Sequence, residues 1–153
     1  MINESLKLRG DLQIQVVGKD GKIKESREEK NLVVNTGLGF IASRMEGVSS
    51  DVMSHMAVGS GTTAAAAGDT DLESMLGARE EMDTTTANGS AGNGTVVYVS
   101  LFEAGDGTGA VTEAGIFNAA TGGDMLCRTV FPVVNKSADD TLSITWTITL
   151  SAS

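Results

Sequence analysis

Few residues of this chain could do chemistry. Met56-Ala57-Val58 runs into Gly59-Ser60-Gly61-Thr62-Thr63-Ala64, with Glu80 further along. A G-x-G-x-x-A turn after a strand-like stretch, followed at such a distance by an acidic residue, is the fingerprint of a dinucleotide-binding turn. There the glycine backbone approaches a pyrophosphate at a helix N-terminus. His55 is the single histidine and Cys127 the single cysteine, so they form the one possible Cys–His pair for nucleophilic catalysis. Asp69, Asp71 and Glu73 place three carboxylates at alternate positions, the oxygen donors that Ca2+ takes. Glu103 and Glu113 are candidates for the paired carboxylates of a glycosidase.

The elements needed to position these groups argue against each chemistry. A dinucleotide turn requires a helix and then a second parallel strand. Here Thr62–Ala67 meets Gly68-Asp69 after barely one turn, and no Lys-Ser/Thr follows the glycines to make a P-loop. The acidic triplet lacks the glycine and later glutamate of an EF-hand, and reads instead as a solvated loop with Thr70 or Asp71 capping a helical turn over Leu72–Leu76. Cys127 lies in an apolar run, where a thiol is packing rather than a nucleophile. The few aromatic residues are poor material for a sugar cleft. No cofactor, metal site or catalytic set is expected.

The hydropathy pattern predicts a mainly β chain. Leu12, Ile14 and Val16 alternate with Gln13 and Gln15, then Lys19-Asp20-Gly21-Lys22 supplies a hairpin turn into a second strand over about 23–34. Asn35-Thr36 is a helix cap, and Leu38, Ile41, Ala42 and Met45 share one face of a helix over 37–46 that stops at Gly47. Further strands are expected at 54–59, 79–86, 94–102, 113–119 and 125–131, with a connection at 87–93. In 142–150 every even residue is apolar and every odd one Ser or Thr, the mark of a half-buried strand. Strands follow strands without intervening helices, so the expected fold is an antiparallel β-sandwich or barrel-like domain. It carries an N-terminal β-hairpin and one short amphipathic helix, and spans residues 1–153 as a single domain.

The 153 residues carry a net charge of −9, unevenly spread. Residues 1–30 hold seven Lys/Arg against six Asp/Glu, and the remainder four against fourteen. An acidic surface repels phosphate backbones, so nucleic acid is not an expected partner. No run approaches the roughly 20 apolar residues that span a membrane, and the first residues lack the apolar segment of a signal peptide.

Several blocks together carry a resemblance: Asn31-Leu32-Val33-Val34-Asn35-Thr36-Gly37, Ala57-Val58-Gly59-Ser60-Gly61-Thr62-Thr63, Thr112-Glu113-Ala114-Gly115-Ile116-Phe117-Asn118-Ala119, Met125–Pro132 and the Thr-rich final strand. In order and content the chain, from about Asn31 to Leu150, resembles a group of small tailed-bacteriophage virion proteins assigned to heads, tails and fibres. The resemblance implies a non-enzymatic structural protein, assembled in the host cytoplasm and carried in the virion. Size, a single domain, acidity and the lack of fibrous repeats favour a capsid decoration or cement protein, a homo-oligomer with a trimer favoured, bound to the major capsid protein lattice. The alternatives are a tail, baseplate or fibre-attachment protein, and a carbohydrate-binding host-recognition module. The docking segment is expected in the Lys-bearing hairpin, at Lys7, Arg9, Lys19, Lys22 and Lys24. The loop after Gly59 and Gly61 is expected to contact a neighbouring subunit.

Overall fold

The computed structural model describes residues 4–47, 51–90 and 93–152. The strands form two five-stranded antiparallel sheets packed face to face, a sandwich. The first sheet has the order β2-β1-β10-β7-β6, built from β1 (Leu6–Val17), β2 (Ile23–Lys30), β6 (Thr84–Ser90), β7 (Asn93–Phe102) and β10 (Thr141–Ala152). The second has the order β3-β9-β8-β4-β5, from β3 (Leu32–Val33), β4 (His55–Gly59), β5 (Glu80–Glu81), β8 (Gly109–Phe117) and β9 (Met125–Lys136). The helix α1 (Asn35–Glu46) joins β3 to the segment before β4.

Alternation dictates the core. Leu12, Ile14 and Val16 of β1 and Leu142, Ile144, Trp146 and Ile148 of β10 point inward. They meet Met56 and Val58 of β4, Val111, Ala114 and Ile116 of β8, and Leu126, Cys127 and Phe131 of β9. β1 and β10 pair in register over their whole length, from Leu6 opposite Ala152 to Val17 opposite Thr141. The N-terminal hairpin is therefore a structural member of the first sheet rather than an appendage. Its turn forms as expected: Gly18 accepts from Gly21, Gly21 has φ +79°, and Asp20 Oδ1 accepts the Lys22 amide at 3.0 Å.

The expected second strand is in fact two, because the chain changes sheets at Asn31. The Asn31 amide donates to Gly10 O at 3.2 Å, and its Oδ1 accepts the Trp146 indole N–H at 3.0 Å. A Cβ on Gly10 would lie 1.3 Å from Asn31 Oδ1, so any other residue there must displace the Asn31 side chain from Trp146. The helix also differs from expectation. Its N-cap is Val34, with no side-chain cap, and the Thr36 hydroxyl donates instead to Met125 O at 2.8 Å. Gly37 approaches β9 so closely that a Cβ would be 2.1 Å from Leu126 O. That contact turns Gly37, Phe40 and Ile41 inward and leaves Leu38 and Met45 51% and 85% exposed, so the expected apolar face is largely outward.

Two connections are corrected. No helical turn forms over 72–76; Ser74 O accepts the Ser60 amide and the Leu76 amide donates to Val58 O, so this segment runs extended along β4. The expected connection at 87–93 is shorter, because β6 continues to Ser90 and β7 begins at Asn93; Ala91-Gly92 lies outside the described residues.

Candidate functional site

Part of the chemistry-bearing set, Gly59, Gly61, Asp69, Glu73 and Glu113, converges on one cluster whose centre is buried, at Glu113 of β8 and Arg128 of β9. Both strands are apolar along most of their length, and both side chains are buried, Glu113 0% and Arg128 2% exposed. Glu113 Oε1 accepts the amides of Gly61 at 3.0 Å and Ser74 at 2.7 Å; Oε2 accepts the Glu73 amide at 3.0 Å and Arg128 Nε at 3.0 Å. Arg128 Nη1 donates to Asp69 Oδ2 at 2.8 Å, and Nη2 donates to Thr63 O at 3.0 Å while lying 2.9 Å from Glu113 Oε2. Thr112 Oγ1 completes the set by donating to Gly61 O at 2.7 Å.

This arrangement gives the G-x-G-x-x-A stretch its meaning. A Cβ on Gly59 would lie 2.5 Å from Glu113 Oε1 and from Ser74 O; one on Gly61 would lie 2.5 Å from Glu113 Oε1 and 2.6 Å from Glu73 Cβ. The glycines let a backbone approach an anion, as in a phosphate-binding turn, but the anion is the chain's own carboxylate. Both glycines are buried inside the chain. The residues of this loop open to a neighbour are instead Ser60, Thr62, Thr63 and Ala64.

Electrostatics follow from the same contacts. Burial pushes the Arg128 pKa down, and the hydrogen bonds and charges of Asp69 and Glu113 outweigh it, so the guanidinium stays firmly charged. Asp69 is held below the usual carboxylate range by the Ala66 amide and, against the effect of burial, by Arg128. Glu73 is lowered by its hydrogen bonds with Thr63, with Arg128 adding attraction. Two members of the supposed Ca2+ triplet are thus committed to an arginine and to loop amides. The third, Asp71, is exposed, bonds its own Leu72 amide and lies 3.5 Å from Arg79. Each Glu113 oxygen already has two donors, so the cluster fastens a loop; it presents no open acceptor to a substrate.

The other candidate pairs do not assemble. His55 and Cys127 lie on β4 and β9 with β8 between them, and His55 Nδ1 is 2.8 Å from Ser54 Oγ. Burial pushes the Cys127 thiol well up, outweighing its hydrogen bond with the Ile116 backbone. Glu103 is exposed, and its carbonyl accepts Lys136 Nζ at 2.9 Å. Sequence reasoning missed Arg79, which lies 3.5 Å over the Phe117 ring and donates to Ala119 O and Gly122 O. An arginine just before a run of acidic residues gives no hint of burial.

The five hairpin residues expected to dock, Lys7, Arg9, Lys19, Lys22 and Lys24, are all exposed but do not form one patch. Lys7 and the β1–β2 turn are separated by most of β1, roughly 35 Å at ~3.4 Å per residue. Arg9 pairs with Asp11 at 2.8 Å, and Lys24 with the buried Asp140 at 2.8 Å. Lys19 and Lys22, at the turn, have no ion-pair partner among the described residues. On the outer face of the first sheet a shallow groove of about 800 Å³ is lined by Arg9, Asp11, Gln13, Glu28, Lys30 and Thr145, among others, with no aromatic side chain in its lining.

Fold and site together define a two-sheet antiparallel β protein with a buried charged clasp under its longest loop and a lysine-tipped hairpin. Comparison with protein-family models, curated proteins and solved structures finds no match. Among the described residues no helix is long and apolar enough to cross a membrane.

Proposed function

We propose that the protein is a non-enzymatic structural component of a tailed-phage virion, a decoration or cement protein that stabilises the head by bridging capsomers. The observation that carries the docking mode is the β1–β2 turn. Lys19 and Lys22, without an ion-pair partner among the described residues, lie exposed at the end of a core-packed hairpin on a chain of net charge −9. A cationic tip on an acidic body orients the molecule toward carboxylates of the shell. Repetition over the major capsid protein lattice turns a weak contact into a strong one. The sequence resemblance and the small β-sandwich support the same class.

The test is charge reversal at the tip. The double variant Lys19→Glu/Lys22→Glu leaves every core contact in place. It is expected to bind bare capsids more weakly than the parent, and the parent's binding is expected to weaken with added salt. Undiminished binding by a folded variant sinks the docking mode. Labelling intact particles tests the location: many copies on the head support decoration, and a small ring at the tail rejects it.

A further inference from the structure

Among the described residues, the sandwich has one edge left open. At the other end of the same sheet, β2 (Ile23–Lys30) carries six charged residues in eight, a common guard against strand addition. In the second sheet the terminal strands β3 and β5 are two residues long. Beyond β3, the free edge of β9 holds Pro132, and Arg27 reaches across from β2 to the carbonyls of Pro132 and Val133. The edge of β4 is covered by residues 74–76. By contrast β6 runs for seven residues at the end of its sheet, Thr84 to Gly89 are all exposed, and β7 is its single paired neighbour. It has no charge or proline, and no covering segment among the described residues.

Charge indicates what completes this edge. From Thr84 to Phe102 the chain has no charged residue, in a protein that is 20% charged with net −9. Two copies of so acidic a chain repel over much of their surface, and this hairpin offers an exposed strand edge where they can meet without like charges opposed. An open edge specifies an extended backbone as its occupant. We propose that β6 pairs with β6 of a second copy, antiparallel across a two-fold axis near Ala87, joining two sheets into one of ten strands. In that register Thr84 faces Ser90, Thr85 faces Gly89 and Thr86 faces Asn88. The flanking Asp83 residues then fall roughly 27 Å apart, several times the ~8 Å screening length, whereas parallel pairing would set them side by side. The interface is isologous and closes at two copies, in place of the trimer that the sequence resemblance favours. It rests on the edge and its charge pattern, independently of the virion reading.

Light scattering on the eluting 153-residue chain tests it. The parent is expected to be a dimer. Ala87→Lys and Ala87→Glu, each setting like charges face to face at an exposed position, are expected to be monomers that keep the near-ultraviolet signal of the buried Trp146. Their equimolar mixture is expected to return to dimer, since opposite charges then meet. A monomeric or trimeric parent, a dimer indifferent to both substitutions, or a mixture that stays monomeric overturns the proposal. Hydrogen exchange on the unaltered protein gives a second readout. Amides of β6 should gain protection as concentration rises while those of β2 do not, and equal behaviour of the two edges counts against self-pairing.

Discussion

Glu113 has two oxygens, and the fold fills both with donors from three segments: the loop at Gly61, the strand-like stretch at Glu73-Ser74, and Arg128. Glu113→Gln would turn an NH2 toward donors and strip the guanidinium of its buried counter-charge. Breaking one side of such a pair costs about 3–5 kcal/mol, which a urea unfolding curve reads directly. The same variant should become sensitive to elastase within Ala64–Ala67, since the loop loses its anchor; resistance equal to the parent's contradicts the clasp. Valine at Gly59 or Gly61 should act in the same direction, by displacing the carboxylate. The signals for this cluster were present in the sequence, as a Glu inside Val111–Phe117 and an Arg inside Met125–Phe131. Opposite charges within two apolar strands have to find each other once buried. What hid the pairing was register, because β8 and β9 shift at Val111/Glu113 and period-two alternation does not reveal a bulge.

At the scale of elements, β1 decides whether the first sheet exists. Leu12, Ile14 and Val16 are buried between the sheets, and the strand bonds β2 on one side and β10 on the other. Leu12→Ala is expected to cost about 2–5 kcal/mol, while Ile23→Ala, at a 58% exposed position, should change stability little. Thermal melts of the two variants check this, and equal losses would mean that β1 is not central. Removing residues 1–30 would take away a core strand, so such a truncation tests folding and cannot isolate docking. The strands were legible because alternation is a local property, and β10 shows it over nine residues. The helix was found but rotated. Leu38, Ile41, Ala42 and Met45 form the more apolar stripe by composition, yet backbone contact at Gly37 sets the rotation, and no hydropathy pattern records how near a helix axis can come to a sheet.

For the molecule as a whole, acid is the expected weak point. Asp11, Asp69, Glu73 and Asp140 are all lowered. In Asp11 the hydrogen bonds of Lys30 and Arg9 outweigh burial; in Asp140 the causes are the Lys24 contact and the Ser137 amide. A carboxylate whose folded pKa lies below its unfolded one stabilises the fold fully above the unfolded value, about 4, and loses that contribution as pH falls through the folded value. Stability to urea should therefore hold from neutral pH down to about 5 and decline below about 4. Asp69→Asn should be less stable than the parent at neutral pH and shallower in its acid decline. A parent curve flat down to pH 2 would show that these contacts carry no stability.

Leu6 lies directly across from Ala152, at the end of the hairpin opposite Lys19 and Lys22. The outer ends of β1 and β10 thus lie side by side on one rim of the first sheet. A short linker from Ala152 back to Leu6 would make a ring, and new ends could be cut elsewhere, for instance in the exposed Gly122-Gly123 turn. If the proposed docking holds, with the lysine tip on a shell, that rim would point outward, and a segment carried there would be displayed away from the shell.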